Sequence, residues 1–178
     1  MFLFKSEKLK YYESLLSLSY NQLIFKLIEK YGPVKDDYFR EKSYARYLNG
    51  EIKTPGRGKY SRASDGLYCH HIEEDKYENI SNFSYIKHYN YPYAIQKKDK
   101  LVYCDMFEHL ILHALIIKRT DGEFGANGYY IFLKPIIEDW MIGGMNPKPT
   151  WMKAAKKRAY LTKRETKKIL KEITRFLK

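Results

Sequence analysis

Cysteine is scarce in this chain, and so is any continuous apolar run. Its 178 residues include two cysteines, Cys69 and Cys104, too few for a disulfide framework or a four-cysteine zinc site. The longest apolar stretch, Leu110 to Ile117, is interrupted by His113, and the opening MFLFKSEKLK carries neither a signal peptide nor a membrane span. A reducing, cytoplasmic setting without membrane attachment is the expectation. The N-x-S matches at Asn79 and Asn82 then carry no weight as glycosylation sites. Acidic residues are also in deficit, with 21 Asp and Glu against 33 Lys and Arg. What the chain does have is 44% hydrophobic and 16% aromatic residues, the composition of a folded domain with a core.

The formal net charge of +12 is unevenly placed. From Asn146 onward, twelve Lys or Arg stand against two Glu, which accounts for +10 of that total. A basic segment of this kind predicts a polyanionic partner, most simply nucleic acid. The residues expected to touch it are Lys153, Lys156, Lys157, Arg158, Lys163 and Arg164. Arg57, Lys59 and Arg62, in the loop "EIKTPGRGKYSRASDG", are expected to join them.

Apolar spacing predicts one or two helices over residues 6–30, ended by Gly32-Pro33, and a further short helix over 36–49. Leu67 to Ile72 and Leu101 to Cys104 read as strands. Met106 to Lys118 reads as a buried helix with Asp105 at its N-cap. The aromatic-rich interval 73–100 is expected to be a loop packed on the core, and "GEFGANGYY" (122–130) a turn, since it lacks the Lys-Ser/Thr of a phosphate loop. The segment after Tyr129 reads as core material of undetermined type. Residues 150–177 read as basic helix broken near Leu161-Thr162.

The chemistry concentrates on four of the five histidines. His70 and His71 are neighbours at the end of a strand, so their side chains point to opposite faces. His109 and His113 are four apart on a helix, so both imidazoles share one face and can approach one ion. The zinc-peptidase pattern needs Glu directly after the first helix His, where this chain has Leu110.

Taken in order, "YCHHI", "DKLVYCD" and "MFEHLILH" resemble the HNH, or ββα-metal, nuclease motif over residues 66–118. The resemblance implies an α+β fold: a ββα-metal core flanked by N-terminal helices and a basic C-terminal helical arm. Within one domain, residues 1–50 would be the N-terminal helical segment, 51–65 a basic loop, 66–118 the motif, and 119–178 the C-terminal segment with its arm. It also implies roles. His70, His109 and His113 would hold one divalent ion (Mg, Mn, Zn or Ni), and His71 would be the general base. The family's middle Asn is replaced by Lys100, preceded by Asp99, so Asp99 is expected to brace the long loop in its stead. The activity implied is metal-dependent hydrolysis of DNA, double-stranded in the simplest case, in a restriction or phage-defence setting. A weakened nucleic-acid-binding module with a structural metal and a ribonuclease are the alternatives. Oligomeric state, a homodimer included, stays open.

Overall fold

A computed structural model describes residues 6–178; the first five residues of the expected helical segment lie outside that range. Helix α1 (Glu7–Leu15) starts where the Ser6 side chain accepts from the Leu9 amide, and it buries Leu9, Tyr12 and Leu15. Helix α2 (Tyr20–Tyr31) starts at a reciprocal cap between Ser19 and Gln22 and buries Tyr20, Leu23, Ile24 and Leu27. It stops at Gly32, whose φ of +78° suits glycine. Helix α3 is Glu41–Leu48.

Strands β1 (Tyr68–His71) and β2 (Leu101–Cys104) form a two-stranded antiparallel sheet in which His70 faces Val102 and His71 faces Leu101. Between them the chain is more structured than a loop. A short 3₁₀ turn, Ile72–Asp75, is followed by helix α4 (Phe83–His88) and by 3₁₀ turns at Tyr93–Gln96 and Lys98–Lys100. This segment shares a small core with α3, built from Phe39, Tyr44, Tyr47, Ile80, Ile86, Tyr91 and Ile95.

Helix α5 (Met106–Arg119) follows β2 directly and is the centre of the main core. The turn expected over 122–130 ends early. From Asn127 the chain is helical again, as a π-helix (Asn127–Leu133), α6 (Lys134–Ile137) and a second π-helix (Glu138–Ile142). Helices α7 (Thr150–Arg158) and α8 (Lys163–Leu177) close the chain. The break at Leu161-Thr162 is present, with Thr162 capping α8.

The C-terminal helices are not an arm. Helix α8 packs on α1 and α5 through Thr166, Ile169, Leu170 and Ile173, whereas α7 packs on the turn Ala63–Asp65 just before β1. The lysines occupy the outer face of helices whose inner face is core. The molecule is thus α+β, mostly helical (60%), with one small sheet. Among the described residues no helix is long and apolar enough to cross a membrane.

Candidate metal centre and cleft

The start of α5 is fixed by buried polar contacts. Asp105 accepts from the amides of Phe107 (2.9 Å) and Glu108 (3.0 Å), and Glu108 accepts in return from the Asp105 amide (2.7 Å). Tyr12 donates to Asp105 at 2.8 Å, while Tyr11, Lys30 and Tyr31 donate to Glu108 at 2.6, 2.6 and 2.9 Å. Helices α1 and α2 therefore clamp the N-terminus of α5, and His109 is the next residue. Burial raises the Asp105 carboxyl to about 6.

Strand β1 presents His70 to α5, and one ring nitrogen from each of His70, His109 and His113 lies within 4.8 Å of the others. The tautomer of His70 follows from Tyr20. That hydroxyl gives its proton to the Ile72 carbonyl (2.8 Å) and lies 2.9 Å from His70 Nε2. Having no second proton, it can only accept there, so Nε2 carries the hydrogen and Nδ1 keeps its lone pair. Nδ1 of His70, of His109 and of His113 are each buried without a hydrogen-bond partner, and imidazole lone pairs of this kind are the donors a divalent cation takes. Burial holds all three imidazoles well below the usual histidine range, His113 at about 4, with mutual repulsion adding to the effect at His70 and His109. His113 is seated so closely against Gly128 of the first π-helix that a Cβ there would collide with its ring.

His71, pointing the other way, is held by Gln96. The Gln96 amide nitrogen donates to the Ile80 carbonyl (3.1 Å), which turns Oε1 toward His71 Nε2 at 2.9 Å. His71 must therefore also carry its proton on Nε2, leaving Nδ1 basic. Its ring packs on Tyr38 (centroids 4.4 Å apart), and burial lowers it to about 4.

Both His71 and His109 line a cleft of about 680 Å³, together with Glu74, Arg57, Arg62 and Trp151. Arg57 stands over the rings of Tyr38 (4.2 Å) and Phe39 (4.7 Å). Arg62 is pinned by the Tyr31 carbonyl and the Asp65 carboxylate, each at 2.8 Å. Gly58 lets this loop cross close to the backbone of Asp37, where a Cβ would strike the carbonyl oxygen. Half-exposed Trp151, at the start of α7, rests edge-on against Tyr68, which in turn contacts His109.

Of the expected nucleic-acid residues, only Arg57 and Arg62 line this cleft. Lys59 is exposed on the same loop. Lys153, Lys156 and Lys157 surround a separate shallow hollow with Tyr160. Arg158 bonds the Asp65 carbonyl, and Lys163 and Arg164 are exposed at the start of α8. The loop-bracing expectation fares differently. Asp99 is exposed and makes no hydrogen bond among the described residues, and Lys100 pairs with Glu73 at 3.1 Å. The bracing groups are Gln96 and Asp37. Asp37 accepts from the Lys98 amide (2.8 Å) and the Tyr93 hydroxyl (2.6 Å), because the 3₁₀ turn at Lys98–Lys100 directs Asp99 outward.

Sequence reasoning misses Tyr20, Gln96 and Glu74. The first two are distant in sequence from the histidines they orient; Glu74, only three residues after His71, offers the one local signal. No family model, no curated protein and no solved structure matches the chain.

Proposed function

We propose that the chain is a metal-dependent endonuclease that hydrolyses DNA phosphodiester bonds in the cytoplasm, with the β1–β2–α5 unit acting as a ββα-metal core. The observation that carries this reading is the division of labour across β1. His70 joins His109 and His113 on one face, and His71 stands on the other with a free basic nitrogen beside a cleft bearing Arg57 and Arg62. A site serving only structure has no use for a second, separately oriented imidazole.

His70, His109 and His113 would hold one divalent ion, which when bound supplies positive charge to the scissile phosphate and its departing oxygen. His71 Nδ1 takes the proton of the attacking water, a role that a neutral imidazole fills at cellular pH. Gln96 keeps that nitrogen unprotonated. Arg57 and Arg62 bind phosphate oxygens and draw the backbone into the cleft.

The test is incubation with supercoiled plasmid, and in parallel with RNA, under Mg²⁺, Mn²⁺, Zn²⁺ or Ni²⁺, with and without chelator. Metal-dependent nicking or linearisation is expected. His71→Ala should lower the single-turnover rate about 10²–10⁴-fold while metal and DNA binding persist. Cleavage within a few-fold of wild type in His71→Ala, or activity indifferent to chelator, refutes the proposal.

A further inference from the structure

We propose that Glu74 is a fourth protein ligand to the divalent ion, making the centre a three-imidazole, one-carboxylate site that extends binding from Zn²⁺ to the harder Mn²⁺. This rests on the metal-site reading above and adds a residue that the resemblance does not supply. The 3₁₀ turn Ile72–Asp75 folds the chain back immediately after β1, and so returns the Glu74 carboxylate to the histidines that precede it. One carboxylate oxygen lies 3.3 Å from His113 Nε2 and 3.8 Å from His70 Nδ1; the other lies 3.9 Å from His71 Nδ1.

None of these approaches is a hydrogen bond, and Glu74 accepts none from any other described residue. The side chain is nonetheless only 16% exposed. A carboxylate so placed lacks the donors that buried acids ordinarily have. His70 Nδ1, 3.8 Å from that carboxyl, is buried with no hydrogen-bond partner. A cation between the two would fill the orphaned nitrogen and hold Glu74 as the carboxylate.

The cavities agree with this placement. Among the described residues, Glu74 alone lines both the large cleft and a second hollow of about 110 Å³, whose walls include His113, Glu78, Glu123 and Asn127. An ion can thus reach the carboxylate through an acid-walled hollow while the polyanion occupies the cleft that holds Arg57 and Arg62. Three imidazoles already suit Zn²⁺, whereas the harder Mn²⁺ and Mg²⁺ need oxygen donors, so the carboxylate matters most for those ions.

The experiment is calorimetric titration of the full chain with Mn²⁺ alone and with Zn²⁺ alone, for wild type, Glu74→Gln, Glu74→Asp and His109→Ala. It is paired with the visible absorption of bound Co²⁺, which reports the ligand set directly. Circular dichroism checks that each variant is folded. Glu74→Gln is expected to weaken Mn²⁺ at least tenfold, to weaken Zn²⁺ less, and to change the Co²⁺ spectrum; Glu74→Asp should recover some of the Mn²⁺ affinity. Folded Glu74→Gln with wild-type affinities and spectrum overturns the assignment, while loss of binding in His109→Ala leaves the three-histidine centre standing. Equal weakening of both ions without a spectral change also overturns it, because that is the mark of a structural role. Absence of any binding by wild type removes the centre itself.

Discussion

Replacing Gln96 with Glu leaves an acceptor opposite His71 Nε2 but makes it an anion, so the substitution tests tautomer and proton affinity together. In the native site the neutral amide at 2.9 Å only modestly offsets burial, and His71 stays near 4. A carboxylate at that distance favours imidazolium and raises the value by about 1–3 units. At pH 5 native His71 is about nine-tenths neutral, whereas a group titrating near 7 would be about one-hundredth neutral. Single-turnover cleavage at saturating Mn²⁺ should therefore show its acid limb displaced upward by at least one pH unit in Gln96→Glu, with little change in rate above pH 8. Gln96→Leu tests the other half. It strands the His71 Nε2–H and the Ile80 carbonyl, a loss of about 1–3 kcal/mol for each group. Nitrogen-15 imidazole spectra should show the Nε2–H form of His71 in wild type and a mixture of tautomers in Gln96→Leu. An acid limb that stays in place in folded, metal-loaded Gln96→Glu, or Nδ1–H as the native tautomer, refutes the reasoning.

Metal-free protein should be acid-labile. His71 and His113 are lowered to about 4 from about 6.5, so each contributes stability that is complete above 6.5 and is lost as pH falls through 4, about 3 kcal/mol apiece. Glu74, raised to about 8, acts oppositely: its contribution is present below about 4.5 and lost toward 8. Urea midpoints should thus fall from pH 7 to pH 4.5, more steeply in Glu74→Gln, and a flat profile in both would contradict the burial argument. For the basic helices, removing everything after Met145 should unfold the chain by exposing Ile169 and Ile173's partners in the core, as circular dichroism would reveal. Lys153→Gln, Lys157→Gln, Lys163→Gln and Arg164→Gln should instead preserve the fold and flatten the slope of log affinity against log salt by about 0.9 for each phosphate no longer neutralised, and an unchanged slope would make that face mere solvated surface.

The elements that present the histidines are legible in the sequence because their signals are local. Asp105 before a largely apolar run free of Gly and Pro marks the start of α5, the four-residue spacing of His109 and His113 sets their common face, and alternation along β1 separates His70 from His71. The groups that set proton positions are not legible, since Tyr20 and Gln96 meet their histidines only through packing of α2 and of the 73–100 segment. Glu74 lies in plain view within "IEED", but which acid of that run turns inward depends on a 3₁₀ turn that no side-chain pattern announces. The C-terminal helices mislead for a different reason. Twelve cations obscure the spacing of Thr166, Ile169, Leu170 and Ile173, which is that of a helix with one buried face. Asp99 has only its adjacency to Lys100 to recommend it, whereas hydrogen bonding in the loop is settled by Asp37, far earlier in the chain.

The docking of α8 on α5 also orders events during synthesis. Synthesis at about 5–20 residues per second delivers the histidine-bearing segments before α8. Until α8 emerges, α5 lacks one of the helices that pack on it, and the main core is incomplete. A chain stalled before α8 would carry His70, His71, His109 and His113 without that part of the core. The frame in which His109 and His113 are held thus depends on a helix that contributes no residue to the histidine group.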